Sequence, residues 1–287
     1  MAKAERTFRH ATIIGVGLLG GSVALALRKA YPGIAVAGVG RGQASLDQAL
    51  KSGIIDAAYL SPDEPAAKSD LIILATPVGS FKGHLRAIAP VVRQDALVTD
   101  VGSTKAIVVK IAEKILGRGG PFVGSHPMAG SERKGNQFAR ADLLDGAVCV
   151  ITPTAWTPPA LVSQAQALWL ALGMKVLQMT PARHDQAAAE ISHLPHMLSA
   201  LLMLLPNQSA LDISAGGFRD MTRLCGSDVE MWRDIILTNA KPIGQAMKKY
   251  ALSISKLLEM IESGDVKRIE KLLSDARIAR EKFLAGK

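Results

Sequence analysis

The feature that most constrains the fold is a glycine-rich turn that joins a short apolar segment to a helical segment near the amino terminus. Residues 10–15 are predicted as a buried strand and residues 22–30 as a helix. Between them, Gly15 permits a tight turn, Gly17 lets a pyrophosphate approach the backbone, and Gly20 lets the helix pack closely on the strand. The amide groups at the start of the helix then face the phosphates. Strand, turn and helix in register predict a dinucleotide site formed by Gly15, Gly17, Leu18, Leu19 and Gly20.

Strands and helices keep alternating through the first 182 residues. Further strands are predicted at residues 34–39, 70–75, 96–101, 122–123, 146–152 and 174–179, and helices at residues 46–51, 80–92, 105–116 and 159–172. Strands that alternate with helices of this length predict an α/β fold with a Rossmann-type, doubly wound parallel sheet. We therefore assign residues 1–182 to a dinucleotide-binding Rossmann domain.

The end of the second predicted strand indicates which dinucleotide binds. NAD sites usually place an Asp or Glu there, where its carboxylate accepts a hydrogen bond from the ribose. This chain has Arg41 instead, with no carboxylate before Asp47. Because Arg41 can pair with a 2′-phosphate and Ser45 can add a hydroxyl donor, the sequence favours NADP, with NAD as the second choice. The alternative is an exposed arginine in a loop. Thr76 and Pro77, which follow the third predicted strand, complete the predicted cofactor site.

A histidine lies where an open α/β sheet presents its ligand cleft, outside the carboxyl ends of the strands. His126 follows the apolar segment 121–124, and Pro127 excludes a helical continuation, so the histidine is predicted to lie in a turn. An imidazole there can take a proton from a substrate hydroxyl during hydride transfer. Ser103, on the loop after the fourth predicted strand, is predicted to orient either the nicotinamide or His126. The alternatives are a histidine that caps a loop and a Ser103 or Thr104 hydroxyl that caps the next helix.

From residue 183 onward, strand patterns disappear and apolar residues recur at helical spacing. Helices are predicted at residues 185–205, 231–239, 243–261 and 265–283. All-helical carboxyl-terminal domains of this length often dimerise, and closed homo-oligomers are the commonest assemblies. We therefore assign residues 183–287 to a helical substrate-binding and dimerisation domain and expect a homodimer.

Two histidines share one face of the first of these helices. His193 and His196 are three positions apart, and Pro195 between them is predicted to kink the helix and widen a pocket. Substrate binding is the first interpretation of the pair, and a role as core histidines is the second. A metal site is the third, because no third ligand of convincing spacing appears. We therefore expect no bound metal.

Adjacent glycines and a pair of arginines follow in the same half of the chain. Gly216 and Gly217 let the backbone approach a ligand closely. Arg219 or Arg223, just beyond them, can hold a carboxylate through two parallel hydrogen bonds. One of these arginines is expected to pair with Asp220 instead, and the sequence leaves open which one.

Composition narrows the classes of partner. The formal net charge is +9, but the basic residues are spread along the chain and aromatic residues are only 4%, which argues against nucleic acid. Binding of an anionic small molecule and a phosphorylated cofactor accounts for the excess of positive charge equally well. Many of the basic residues are expected to lie on the solvated surface. Cys149 and Cys225 form no disulfide framework. With neither a signal region nor an apolar run long enough to span a membrane, the sequence predicts a cytoplasmic protein.

Five motifs taken together resemble the prephenate and arogenate dehydrogenase family of tyrosine biosynthesis. They are Gly-Leu-Leu-Gly-Gly-Ser at 17–22, Asp-Val-Gly-Ser-Thr-Lys at 100–105, Ser-His-Pro-Met-Ala-Gly-Ser-Glu at 125–132, His-Leu-Pro-His at 193–196 and Gly-Gly-Phe-Arg-Asp-Met-Thr-Arg at 216–223. The resemblance covers residues 12–282 and is specific because the motifs occur in combination. It implies oxidative decarboxylation of a cyclohexadienol, in which hydride passes to the nicotinamide and loss of carbon dioxide aromatises the ring.

The resemblance also implies roles for individual residues. His126 would take the proton from the ring hydroxyl with help from Ser103, and Arg223 would hold a substrate carboxylate. The substrate-binding residues that it implies are His193, His196, Arg223, Glu132, Trp232 and Gly216. Whether the substrate is prephenate, with a keto side chain, or arogenate, with an ammonium group, stays open.

The sequence also departs from common members of that family. No chorismate mutase segment precedes the glycine turn and no regulatory domain follows the last predicted helix, so a monofunctional enzyme is expected. One rival interpretation is an NADP-dependent β-hydroxyacid dehydrogenase or imine reductase, which would place a catalytic lysine or aspartate on the first interdomain helix. The other rival is a non-catalytic NADP-sensing module, which would need no base at His126.

Overall fold

The computed structural model describes residues 8–130 and 133–286. The chain groups into two compact units, Met1–Ala240 and Lys241–Lys287. The first unit contains every strand of the described residues and the whole of the candidate site discussed below. The second unit consists of long helices. The sequence-based domain division between residues 182 and 183 follows the last strand and stays a prediction.

One eight-stranded sheet forms the centre of the first unit within the described residues. Its strands are β1 (His10–Ile14), β2 (Ala35–Val39), β3 (Ala57–Tyr59), β4 (Leu71–Leu74), β5 (Leu97–Asp100), β6 (Phe122–Pro127), β7 (Val148–Thr152) and β8 (Lys175–Gln178). They lie in the order β3-β2-β1-β4-β5-β6-β7-β8, and β1 to β6 are parallel. This arrangement confirms the predicted Rossmann-type, doubly wound sheet.

The last two strands extend the sheet as predicted but run in the opposite direction to the other six. β7 pairs with β6 antiparallel, and β8 pairs with β7 parallel. A parallel neighbour needs a crossover, usually a helix, whereas an antiparallel neighbour can return through a loop. The segment between β6 and β7 contains only short 3₁₀ turns, at Asn136–Phe138 and Ala141–Leu144, in its described part. The reversal therefore follows from the missing crossover helix.

The helices of the first unit cover both faces of the sheet and then build a helical layer. They are α1 (Leu18–Ala30), α2 (Gln43–Lys51), α3 (Asp63–Lys68), α4 (Phe81–Ile88), α5 (Ala106–Leu116), α6 (Pro159–Ala171), α7 (Pro181–Ala188), α8 (Leu194–Leu204), α9 (Gln208–Asp212), α10 (Gly216–Thr222) and α11 (Val229–Thr238). Two further 3₁₀ turns lie at Val78–Ser80 and Arg223–Gly226. The second unit is formed by α12 (Ala240–Glu262) and α13 (Val266–Ala285).

Two apolar clusters form the core, one on each face of the sheet. Ile13 belongs to a buried cluster with Leu27 of α1, whereas its neighbour Ile14 belongs to a second cluster with Phe81 and Leu85 of α4. Successive side chains of a strand point to opposite faces, so adjacent residues feed different clusters. Full burial of each such side chain contributes about 1.5–3 kcal/mol of transfer free energy. The sheet is therefore held between two layers of helices.

Two sequence-based boundaries are wrong, and two short elements were not predicted. The first helix begins at Leu18 rather than at residue 22, so its amino terminus lies directly after Gly17. The predicted turn at His126 is wrong: β6 continues to Pro127, because His126 pairs with Val150 across the antiparallel ladder. β3 and α3 were not predicted, since a strand of three residues carries too little alternation to stand out from a loop.

None of the described helices combines the length and the apolar composition that a membrane span requires. Within residues 8–130 and 133–286, no three His, Cys, Asp or Glu side chains are grouped as metal ligands would be. Cys149 is buried and Cys225 is exposed, and both are free thiols.

Candidate active site

A cleft of about 690 Å³ opens in the first unit at the carboxyl ends of the parallel strands. The glycine turn, the loops that follow β4 and β5, the end of β6 and helices α8 and α11 all contribute to its wall. The sequence-predicted residues among its lining are Gly17, Leu18, Leu19, Arg41, Thr76, Pro77, Ser103, His126, His196, Arg223 and Trp232. Folding therefore brings most of the predicted site to one place.

One side of the cleft is a backbone structure that fits a dinucleotide. Gly15 has φ +105°, a conformation that side-chain-bearing residues rarely adopt. A Cβ on Gly20 would lie 2.0 Å from the carbonyl oxygen of Gly15, so only glycine allows this approach of helix to strand. α1 begins after Gly17 without a side-chain cap, which leaves the first amide N–H groups available for an anion. The residues present therefore fit the pyrophosphate of a dinucleotide.

The remaining residues that were predicted to bind the cofactor divide into those that line the cleft and one that does not. Arg41 and Pro77 are exposed at the cleft, and the Thr76 hydroxyl is 2.7 Å from that of Ser80. Ser45, in contrast, lies outside the lining of the cleft among the described residues. Its carbonyl and hydroxyl oxygens accept hydrogen bonds from Nδ2 of Asn136 at 2.7 and 3.3 Å.

His126 is buried and joined to two further buried side chains. Its Nδ1 lies 2.8 Å from Nε2 of His184, and Nδ1 of His184 lies 2.8 Å from Oδ1 of Asp185. The two oxygens of Asp185 accept hydrogen bonds from the backbone N–H groups of Lys105 and Ala106 at 2.6 and 2.8 Å. Burial, followed by the nearby His184 and Lys105, lowers the pKa of His126 well below its ordinary value. The imidazole is therefore neutral near neutral pH and able to accept a proton.

The contact of Asp185 with α5 corrects a second expectation. A Ser103 or Thr104 hydroxyl was expected to cap the helix, but α5 has no side-chain cap from its N-cap residue. Asp185 takes that role from 80 positions away in the sequence. Ser103 and His126 both line the cleft, without a direct hydrogen bond between them in the described structure. The predicted orienting role of Ser103 stays a prediction.

A buried ion pair supports the loop that carries Ser103. Nζ of Lys105 contacts Oδ2 of Asp100 and donates to the carbonyl of Ser125 at 2.8 Å. The Asp100 carboxylate also accepts from the backbone N–H groups of Gly102 and Ser125, both at 2.9 Å. Burial raises the pKa of Asp100 and lowers the pKa of Lys105, and the contact between the two groups opposes both shifts. The pair ties the end of β5 to β6 beside His126.

The other side of the cleft is assembled from side chains. The ring of Trp232 stacks on His196 at a centroid distance of 3.7 Å and meets His193 edge-on at 5.9 Å. His193 is fully buried, and its Nδ1 accepts from Nδ2 of Asn239 at 3.0 Å, which leaves the ring proton on Nε2. Burial lowers the pKa of His193 to about 4. In the described structure, neither Nε2 of His193 nor Nε1 of Trp232 has a hydrogen-bond partner.

The helix changes its hydrogen-bonding pattern just before Pro195, whereas the predicted kink and widening of a pocket stay predictions. The predicted single helix is divided into α7 and α8 by a π-helical turn at Ala189–His193. Because Pro195 has no N–H to donate, the hydrogen-bond ladder changes register just before it. The wider turn places His193 and His196 on the side of Trp232.

Helix α11 is fixed to the rest of the first unit at its amino terminus and in its middle. Asp228 caps its amino terminus by accepting from the N–H of Met231 at 2.6 Å, and it pairs with Lys134 at 2.5 Å. Asp234 accepts from the N–H of Gly79, in the turn after β4, at 3.1 Å. These contacts fix α11, which carries Trp232, to the turn after β4.

Some predicted residues are not brought to the cleft. Gly216 is exposed at the start of α10, and His193 lies behind His196 rather than in the lining of the described cleft. Arg223 lines the cleft whereas Arg219 is exposed on α10. Glu132 lies outside the described residues.

Sequence patterns did not indicate His184, Asp185 or the Asp100–Lys105 pair as parts of the site. The adjacent histidine and aspartate at 184 and 185 were visible, but no local spacing connects them with His126, 58 positions away. A buried Lys and Asp five positions apart could have been suspected only from their place between two predicted buried strands.

Both halves of the chain match models of one protein family. Residues 23–178 match the nucleotide-binding domain of prephenate dehydrogenase, and residues 180–275 match its dimerization domain. The prephenate dehydrogenase of Bacillus subtilis is 34% identical over 276 residues, which cover 94% of this chain and 74% of the relative. The cyclohexadienyl dehydrogenase of Zymomonas mobilis is 30% identical over 265 residues, with 90% of each chain covered.

A solved structure gives the same result for the fold. The crystal structure of prephenate dehydrogenase from A. aeolicus, in complex with hydroxyphenyl propionate and NAD+, matches with a TM-score of 0.91 at 30% identity. The match covers 98% of this chain and 100% of that chain. The similarity therefore includes both the sheet and the helical part.

Proposed function

Because this chain belongs to the prephenate and arogenate dehydrogenase family, we propose that it catalyses the NAD(P)-dependent oxidative decarboxylation of prephenate, arogenate or both in tyrosine biosynthesis. The observation that carries the proposal is His126, a buried imidazole with a lowered pKa. It lines the same cleft as the glycine turn on one side and Arg223 and His196 on the other. A base between a dinucleotide site and a carboxylate-binding group is what this reaction requires.

The residues of the cleft supply the proton transfer and the binding of the substrate. A bound nicotinamide supplies the hydride acceptor. His126 accepts the proton of the ring hydroxyl as the carbinol carbon is oxidised. The ring carboxylate leaves as carbon dioxide, its bonding electrons aromatise the ring, and the resulting phenolate oxygen regains a proton. The guanidinium of Arg223 provides the planar, doubly hydrogen-bonding group that suits a substrate carboxylate.

The proposed cofactor is NADP, with NAD as the second choice. Arg41, two residues after β2, lines the cleft at the point where an NAD site usually presents a carboxylate. The first carboxylate after β2 is Asp47, whose Oδ1 accepts from Nε2 of Gln43 within α2. A guanidinium in this place favours a 2′-phosphate over a bare ribose hydroxyl.

The proposed assembly is a homodimer formed through the helical part of the chain. The matching of residues 180–275 to a dimerization domain supports it. In the second unit, Leu252, Leu258, Ile261 and Leu273 are more than half exposed. Apolar residues at this density on long helices are typical of an association surface. Light scattering coupled to size-exclusion chromatography should give twice the chain mass, and a monomer at micromolar concentration would contradict the assignment.

The test of the activity is turnover by the purified protein with prephenate and with arogenate, each with NADP and with NAD. Reduced nicotinamide and the aromatic product should appear together with at least one substrate. No turnover of either substrate would favour the β-hydroxyacid dehydrogenase or imine reductase alternative.

A further inference from the structure

Three buried side chains form a continuous chain of hydrogen bonds from the cleft to the amino terminus of α5. The chain runs from His126 through His184 to Asp185, with 2.8 Å at each step between side chains. His184 and Asp185 are each 2% exposed, so bulk water does not compete for these hydrogen bonds. The mechanism proposed above uses only the first member of the chain.

The direction of each hydrogen bond among these three side chains follows from the groups that contact Asp185. The backbone N–H groups of Lys105 and Ala106 can only donate, so Asp185 accepts with both of its oxygens. A carboxylate at a helix amino terminus is stabilised in its ionised form. Nδ1 of His184 must therefore carry the proton that it shares with Asp185, and in the neutral ring Nε2 of His184 is an acceptor.

This direction determines which nitrogen of His126 is protonated. Because Nε2 of His184 accepts, Nδ1 of His126 donates, and the proton of the neutral His126 ring lies on Nδ1. Nε2 of His126 is then the unprotonated nitrogen. In the opposite tautomer, Nε2 carries the proton and has no lone pair with which to accept a substrate proton.

We infer that His184 and Asp185 are positioning residues that hold His126 in the tautomer whose Nε2 is free to act as the base. The inference rests on the proposed function for its catalytic consequence, but not for the tautomer itself. As His126 takes up the substrate proton, its Nδ1–H bond to His184 strengthens, because the charge of Asp185 polarises the intervening ring. Neither residue belongs to the lining of the described cleft, so both act through His126.

His184 is the better residue to vary, because Asp185 also caps α5. His184→Phe keeps a ring of similar size and removes both ring nitrogens. His184→Gln keeps a polar group that can accept from Nδ1 of His126. His10→Gln, at an exposed histidine at the start of β1, is the matched control.

Tautomers are read directly from long-range ¹⁵N–¹H spectra of the imidazole rings, and the chain has only six histidines to assign. In the ligand-free wild type at neutral pH, His126 should show a protonated Nδ1 and an unprotonated Nε2. In His184→Phe, the proton should move to Nε2. A wild-type spectrum with the proton on Nε2 of His126 would overturn the inference, and this measurement needs no substrate.

Kinetics test the consequence for catalysis. His184→Phe should lower kcat by about 10²-fold or more, because a wrong tautomer removes the base, while KM for the cofactor changes by less than about twofold. His184→Gln should recover most of the loss, and His10→Gln should behave as the wild type. An unchanged kcat in His184→Phe would overturn the inference. If His184→Phe does not fold, the tautomer in the wild-type spectrum still decides the inference. A wild type that turns over neither substrate would defeat the proposed function and leave the tautomer result standing.

Discussion

The two sides of the cleft are built by different means. The cofactor side is made of backbone: a turn and a helix amino terminus contained in residues 15–20, next to each other in sequence. The side that faces the substrate is made of side chains from β6, α7, α8 and α11, which meet only after folding. A phosphate-binding turn can therefore be encoded locally, whereas the proposed base and its supports depend on long-range packing.

We expect the largest effect on turnover from a substitution on the substrate side of the cleft, which is formed by side chains. His126→Asn should lower kcat by about 10²–10⁴-fold, because it removes the proposed general base. The dissociation constant for NADP should stay close to that of the wild type, since the glycine turn is untouched. Steady-state turnover and calorimetric titration of the cofactor measure the two quantities. Wild-type turnover by His126→Asn would show that His126 is not the base and would remove the distinction between the two sides.

The cofactor side, which is formed by backbone, is tested by adding a methyl group at Gly20. Gly20→Ala places a Cβ 2.0 Å from the carbonyl oxygen of Gly15. We expect unfolding free energy to fall by about 1–3 kcal/mol and cofactor affinity to weaken, because the helix must move away from the strand. Gly83→Ala in α4 is the matched control, since no heavy atom lies within 4 Å of its Cβ position. Equal effects on urea unfolding from the two substitutions would show that close approach does not matter at Gly20.

Arg41 differs from the rest of the cofactor side, because it would contact the cofactor through its side chain and not through the backbone. Arg41→Ala should raise KM for NADP by about 10–100-fold, the value of one or two charge-assisted hydrogen bonds, and should change KM for NAD little. Comparison of kcat/KM for the two cofactors in wild type and variant measures the effect. A proportional loss with both cofactors would mean that Arg41 does not recognise the 2′-phosphate.

The smallest expected effect concerns the histidine behind the cleft. The pKa of His193 is lowered by burial to about 4, from an ordinary value of 6.5. The unfolded chain therefore takes up a proton at a higher pH than the folded chain, and stability falls as pH decreases from 6.5 towards 4. The loss between pH 7 and pH 5 from this residue is on the order of 1–2 kcal/mol. His193→Gln should lose correspondingly less in urea unfolding at the two pH values, and identical losses would exclude this role of His193.

Much of the fold followed from patterns that act over short distances. Strand and helix periodicity predicted seven of the eight strands, and the glycine turn predicted the place of the cofactor side. The errors of prediction arose where a residue far away in the sequence determines the local structure. His126 was predicted in a turn because no residue near it in sequence indicates its pairing with Val150. The cap of α5 was assigned to Ser103 or Thr104, the nearest hydroxyls, although Asp185 provides it from another helix.

The sequence by itself determined the α/β alternation, the glycine turn and the residue types of the candidate site, because these depend on backbone conformation and on neighbours three or four positions away. Only the tertiary structure decided how that chemistry is arranged. It reversed the direction of β7, buried His126, joined it to His184 and Asp185, and placed Trp232 against the two histidines of α8 and its preceding turn. The physical reason is burial: the pKa and the tautomer of an imidazole depend on what packs around it, and for His126 those neighbours come from segments that lie far apart along the chain.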